Sequence, residues 1–159
     1  MIYTLTMNPA VDRTITTSCF RLGETNRVRD VKVEGRGKGI NVSLALQQFG
    51  VNSVAVAPVG GPEGELIEET LQAAGISHKL YHLSSGRTRV NVKVFDDDAQ
   101  VTTELNEPGP TLAGNDCEAL TQLVIQSLQP QDVLICAGSL PPGVDDHFYA
   151  ELMRKAQQQ

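Results

Sequence analysis

The sequence is short of cysteine, of positive charge and of long apolar runs, and each shortage excludes something. Its three cysteines, Cys19, Cys117 and Cys136, are an odd number with no CxxC pair, so neither a disulfide framework nor a zinc spacing follows. Cys136 lies in the apolar run Val133–Ala137 and reads as a small buried hydrophobe, not a nucleophile. Thirteen Lys plus Arg stand against nineteen Asp plus Glu, for a net charge of −6. No broad basic surface recruits nucleic acid or an anionic membrane on that balance. No apolar run approaches the roughly 20 residues that cross a bilayer. The start Met1-Ile2-Tyr3-Thr4-Leu5 enters structure at once, without the basic opening of a signal peptide. His78, His82 and His147 have no metal-ligand spacing, and the aspartates at 96–98 read as a solvated hairpin turn. The expectation is a cytoplasmic chain of 159 residues, one packed domain or a large piece of one. An anionic ligand then requires cations gathered locally.

What is present is an alternation of element types. Ile2–Met7 alternates and runs into Asn8-Pro9-Ala10, a first strand ending in a loop. Thr14–Thr17 and Val28–Val33 are β-branched, partly charged and read as exposed strands. Gly35–Gly39 is a glycine-rich loop opening a helix from Ile40 to Phe49, with Gly50 just past its end. Val54–Val59 suits a buried parallel strand. Glu63–Ala74 places Leu66, Ile67, Thr70, Leu71 and Ala74 on one helical face. Leu80–Leu83 and Thr88–Phe95 read as strands, the latter turning at Asp96–Asp98 into Val101–Leu105 as a hairpin. A helix over about 115–128, a buried strand Val133–Ala137, the loop Gly138–Gly143 and a last helix from near Asp146 complete the chain. Buried strands alternating with helices imply a parallel α/β sheet. The polar segments, at about 13–34 and 86–106, imply a small β-sheet lid attached to it. A chain that stops after a crossover helix, with no strand to follow, reads as part of a larger domain.

Three groups of residues carry chemistry. In Gly35-Arg36-Gly37-Lys38-Gly39-Ile40-Asn41 the glycines let backbone amides converge. The helix start adds unsatisfied donors; Lys38 adds charge and Asn41 a hydrogen-bonding amide. The spacing is not that of a Walker A loop, since Gly39 follows Lys38, nor of the dinucleotide fingerprint, since Ile40 stands at the sixth position. It suits a phosphorylated or polyhydroxylated ligand, or else a plain glycine turn. In Arg87-Thr88-Arg89-Val90-Asn91-Val92-Lys93, alternation puts Arg89, Asn91 and Lys93 on one face: a local phosphate clamp, or a solvated strand. Asp12 and Ser139 follow two apparent parallel strands, at the end of the sheet where α/β proteins bind ligands. Asp12 suits sugar hydroxyls or a turn, and Ser139 a hydroxyl, a phosphate or a cap.

These segments, in this order, resemble the ribokinase/PfkB carbohydrate-kinase superfamily, most closely its 1-phosphofructokinase and tagatose-6-phosphate kinase branch. The resemblance is carried by Tyr3–Asp12, Gly37–Val42, Gly86–Lys93, Glu107-Pro108-Gly109-Pro110 and Gly138–Gly143, and it spans essentially the whole chain. It implies a doubly wound α/β domain with a β-sheet lid, ATP with Mg2+ as phosphoryl donor, and transfer to a sugar-phosphate hydroxyl. Residue by residue it implies sugar-phosphate contacts at Asp12, Gly37, Lys38, Asn41, Arg89, Asn91 and Ser139, with Arg27 and Arg87 secondary. The Arg87–Lys93 string is most similar to 1-phosphofructokinases, which convert fructose 1-phosphate to fructose 1,6-bisphosphate. Tagatose-6-phosphate kinase and 6-phosphofructokinase are the alternatives within the family. A non-catalytic sugar-phosphate-binding module is the alternative outside it. Two departures stand out. Arg36 occupies a position where many relatives have Gly or Ala. The family's Gly-Ala-Gly-Asp motif, whose Asp is the general base, is absent, so no catalytic residue is assigned and the chain alone is expected to be inactive. A homodimer through the exposed lid strands is also expected.

Overall fold

In the computed structural model, which describes residues 1–158, the chain divides its strands between two sheets. It runs β1 (Ile2–Leu5), β2 (Ala10–Thr17), β3 (Val28–Arg36), α1 (Lys38–Gln48), β4 (Ser53–Val59) and α2 (Gly61–Ala73), then β5 (Ser77–His82), β6 (Arg89–Asp96), β7 (Val101–Asn106), α3 (Gly114–Ile125), β8 (Val133–Cys136) and α4 (Phe148–Ala156). One sheet is parallel, in the order β5-β4-β1-β8; the other is ordered β3-β2-β6-β7. This is the doubly wound sheet with a β lid that the resemblance implies. Among the described residues no helix is long and apolar enough to cross a membrane.

The parallel sheet is covered on both faces. Tyr3, Leu5 and Val56 pack with Leu120, Val124 and Leu152 of α3 and α4, while Ala55 and Val59 pack with Ile40, Ile67 and Leu71 of α1 and α2. Alternate residues of β4 therefore serve opposite cores, which is why its sequence is apolar throughout instead of alternating. Each of these fully buried Leu or Ile side chains contributes about 1.5–3 kcal/mol by leaving water. From β1 the chain first builds outward through β4 and β5, then returns to lay β8 on the other side of β1. The strand order reverses between β1 and β8, and a doubly wound sheet binds its ligands at the carboxyl edge of such a gap.

The lid has a polar face and an apolar face. Its register pairs Asp12 with Glu34 and Asn91, and Lys93 with Glu104, so these side chains share one surface. The alternate positions Val31, Val33, Val101 and Leu105 share the other, where they are 41%, 46%, 55% and 62% exposed.

Five local expectations change. Ile2–Met7 does not alternate between core and solvent: Thr4 and Thr6 are as buried as Leu5 and Met7, with Thr4 Oγ1 satisfied at 2.7 Å by Ser43 Oγ of α1. The strand after α3 is not buried, because β8 is the sheet edge and Val133 is half exposed. The Gly35–Gly39 loop shrinks to Gly37, since β3 runs through Arg36 and α1 starts at Lys38. Gly35 is small for packing: a Cβ there would lie 2.9 Å from Ile67 Cα of α2. Asp12 belongs to β2 and not to a loop. Finally, Asp96 is buried, not solvated. Its carboxylate accepts from the amides of Cys19 (3.0 Å), Phe20 (2.7 Å), Asp98 (3.1 Å) and Ala99 (3.2 Å), tying the β2–β3 loop to the β6–β7 hairpin. These four amide donors hold its pKa below the usual value.

Candidate functional site

Between the polar face of the lid and the carboxyl edge of the parallel sheet lies a cavity of about 340 Å³. Its lining includes Asp12, Gly37, Lys38, Asn41, Arg89, Asn91 and Ser139, seven residues drawn from four separate stretches of sequence. Arg36, Lys93, Glu104, Asn106 and Ala10 complete it. Four cations and two carboxylates thus face one space, in a protein that is acidic overall. The local excess of positive charge is the concentration of cations that an anionic ligand requires.

The lid wall is organised around Asp12. Asn91 Nδ2 donates to Asp12 Oδ1 at 3.1 Å and Lys93 Nζ to Oδ2 at 2.6 Å, so both carboxylate oxygens are engaged. Asn91 Oδ1 remains buried with no partner; it is an acceptor awaiting a donor such as a hydroxyl. Arg89 opens β6, and its guanidinium is held by two carbonyls: Nη1 donates to Glu107 O and Nη2 to Asn8 O, each at 3.0 Å. Its Nε is buried and unpartnered. Burial pushes the Arg89 pKa down from its usual value, and the nearby carboxylates of Asp12 and Glu107 pull against that; a guanidinium stays charged throughout. Arg36 spends its charge on Glu34.

The α/β wall is built from the start of α1 and the loop after β8. Glycine is required at position 39 because a Cβ would sit 2.6 Å from Thr6 Oγ1 and 2.7 Å from Leu5 O. The helix start can therefore lie against the end of β1. Thr6 Oγ1 accepts from Ile40 N at 3.0 Å, and Gly37 O from Asn41 N at 2.7 Å. The amides of Lys38 and Gly39 precede the helical ladder and have no partner within it. A Cβ at Gly138, whose φ is +99°, would come within 3.2 Å of Lys38 Cβ, so the loop after β8 lies against the Lys38 stem and sets Ser139 beside it.

Arg27 and Arg87 are not brought into this cavity. Arg27 lines a separate depression at the lid tip with Cys19, Arg21 and Asn26. Arg87 is exposed and forms a two-bond ion pair with Glu63 of α2, at 3.1 and 2.7 Å. Conversely, sequence reasoning missed Glu104 and Asn106. Their signal is the period-two alternation of β7, which in hairpin register sets them opposite Lys93 and Asn91. Cys136 is held protonated, its pKa pushed up to about 11 by burial.

A doubly wound sheet, a β lid and a cavity at the strand-order reversal lined by cations and hydrogen-bonding side chains define an α/β protein with a polar cleft between sheet and lid. Comparison with known proteins narrows this. The pfkB family carbohydrate kinase description matches residues 5–159, and the chain belongs to that family. A tagatose-6-phosphate kinase of Staphylococcus epidermidis is 33% identical over all 159 residues, which cover 50% of that protein. Phosphofructokinase-2 from Escherichia coli, solved in complex with fructose-6-phosphate, superposes with a TM-score of 0.92 at 28% identity, over 99% of this chain and 52% of that one; a tetrameric inhibited form of it is also known. A Thermotoga maritima protein described as a possible 1-phosphofructokinase gives 0.84 at 34% identity, over 99% and 51%. The chain spans about half the length of the relatives it matches.

Proposed function

We propose that this chain carries the sugar-phosphate-binding apparatus of an ATP-dependent carbohydrate kinase, and that the intact parent phosphorylates fructose 1-phosphate to fructose 1,6-bisphosphate. The observation that supports this is the single cavity shared by Asp12, Lys38, Arg89, Asn91 and Ser139. A phosphate suits Lys38, the open N–H groups of Arg89 and the Ser139 hydroxyl. Sugar hydroxyls suit Asp12, Asn41 and the unpartnered Asn91 Oδ1. The choice of fructose 1-phosphate rests on the Arg87–Lys93 string. Tagatose 6-phosphate and fructose 6-phosphate form the second reading, favoured by the substrates named for the relatives above.

ATP with Mg2+ is the proposed donor, and the residues present do not fit the metal. Asp12 is engaged by Lys93 and Asn91, Glu104 stands on an exposed strand, and among the described residues no three His, Cys, Asp or Glu are grouped to hold an ion. These 159 residues also contain no Gly-Ala-Gly-Asp string. No transfer step is assigned to them; their part is to bind and orient the acceptor. The chain alone is therefore expected to bind a sugar phosphate without turning it over. A cytoplasmic homodimer through the lid belongs to the same proposal, supported by the exposed apolar lid face.

The test is calorimetric titration of the 159-residue chain with fructose 1-phosphate, tagatose 6-phosphate and fructose 6-phosphate, alongside a coupled ADP-release assay. Saturable binding of one of the three is expected, with no ADP release. Failure to bind any of them overturns the site reading, and sustained ADP release overturns the predicted inactivity.

A further inference from the structure

Asn8 follows β1, is 5% exposed and does not line the cavity, yet it touches Arg89 and Ser139, which do, and the loop after β7. Its side-chain Nδ2 donates to Pro108 O at 3.0 Å and reaches Ser139 Oγ at 3.5 Å. Its backbone O accepts from Arg89 Nη2 at 3.0 Å. The other anchor of Arg89 is Glu107 O, one residue before Pro108, and Glu107 Oε2 also accepts from Val90 N at 2.8 Å. The Asn8–Pro108 bond therefore ties together the two chain segments whose carbonyls hold the guanidinium.

The orientation of the Asn8 amide is fixed by its surroundings. A carbonyl such as Pro108 O can only accept, so the amide nitrogen must face it. Flipping the side chain would set oxygen against oxygen. On the opposite side Oδ1 is buried and unpartnered, facing Gly109, where a Cβ would come within 2.3 Å of it. Gly109 also has φ +95°, so two independent demands keep that position bare. With Nδ2 as its neighbour, Ser139 Oγ meets a donor at 3.5 Å, which leaves its own hydrogen free to donate into the cavity that Ser139 lines.

We propose that Asn8 is a positioning residue that sets the hydrogen-bond polarity of the phosphate-binding end of the cavity by making Ser139 a donor. This rests on the reading of the cavity as a sugar-phosphate site. A buried Asn that served stability alone would have no reason to be coupled energetically to the ligand contacts of Ser139. A positioning Asn acts through that hydroxyl, and its effect disappears when the hydroxyl is gone.

The experiment is a double-mutant cycle on the 159-residue chain, by calorimetry, using whichever of fructose 1-phosphate, tagatose 6-phosphate and fructose 6-phosphate binds most tightly. Asn8→Leu, close in size and unable to donate, and Ser139→Ala are each expected to weaken binding roughly 10-fold. The double variant is expected to lose about 10- to 20-fold, where independent effects would multiply to about 100-fold. Asn8→Ala repeats the cycle should Asn8→Leu fail to fold, with thermal unfolding monitoring each protein. If the wild type binds one of the sugar phosphates and the losses multiply, the positioning role is overturned while the proposed function stands. If the wild type binds none of the three, the underlying site reading falls and takes this inference with it.

Discussion

The two walls of the cavity are built on opposite terms. On the lid, Asp12 is engaged by Asn91 and Lys93, Arg36 by Glu34, and Arg89 by two carbonyls. On the α/β side, Lys38, Asn41 and Ser139 stand beside the open amides at the start of α1, and among the described residues no carboxylate pairs with Lys38. A wall whose charged groups already have partners holds its shape before a ligand arrives. A wall of open donors depends on the backbone beneath it for the same precision. Mutations should therefore read differently: on the α/β side, backbone changes are structural and side-chain changes affect the ligand, whereas lid changes disturb both.

The largest effect tests the backbone half of that contrast. Gly39→Ala drives a Cβ into Thr6 Oγ1 and Leu5 O, and neither the end of β1 nor the start of α1 can yield without opening the core around Ile40. A loss of about 3 kcal/mol is expected, read in urea as a lowered midpoint at unchanged slope. A stability within error of wild type would mean that the close approach of helix and strand is not what selects glycine.

Next in size is Arg89→Ala. It removes a half-buried guanidinium that lines the cavity, and roughly 100-fold weaker sugar-phosphate binding is expected, since charge-assisted bonds are worth about 1.5–3 kcal/mol each. Asp97, on the lid turn and paired loosely with Arg29 at 3.6 Å, provides the control: Asp97→Ala should change affinity by less than about twofold. Equal affinities for the two variants would dissolve the assignment of the lid wall.

A smaller effect separates the lid from the α/β layer by pH. The Asp96 pKa lies below the usual 3.8 because four backbone amides donate to its carboxylate. A depressed folded-state pKa contributes stability that is present above the ordinary value and is lost as pH falls through the folded one. Protection of the Cys19 and Phe20 amides should thus be level from neutrality to about pH 4 and fall below it, as followed by hydrogen exchange. Asp96→Asn should lower that protection at neutral pH and flatten its acid dependence. Unchanged protection in the variant would show that the lid tip is held by something else.

How much of this was legible in the sequence follows the same division. The parallel sheet was readable because two-sided burial writes continuous apolar runs such as Val54–Val59, and the lid pair Arg89 and Asn91 was readable because strands alternate. Burial of polar residues was not: Thr4 and Asp96 look like solvent-facing residues, and only the partners Ser43 and the four amides, remote or conformational, make them core. Asn8 and Glu107 stood in plain view within quoted motifs. Their roles depend on Pro108 and Arg89 lying next to them, and a linear reading carries no such distance. Strand limits failed for a related reason, since β2 and β3 extend only as far as each finds the other to bond with.

The smallest predicted effect is the one on which sequence and structure differ most directly. Arg87 and Arg89 are two residues apart in one basic string, and alternation along a continuous strand would aim both at the same ligand. But β6 starts at Arg89, so alternation has no hold on Arg87. Thr88 instead bonds to Gly60, through its own amide at 2.9 Å and through its hydroxyl at 3.0 Å from Gly60 N. That anchors the turn at the N-terminus of α2 and presents Arg87 to Glu63. The pair is exposed on the arginine side, where ion pairing adds little. Arg87→Ala should accordingly leave sugar-phosphate affinity within about twofold of wild type, measured by the same calorimetry as Arg89→Ala. A loss approaching that of Arg89→Ala would mean that the ligand pulls Arg87 away from Glu63 and that the lid wall is rebuilt on binding.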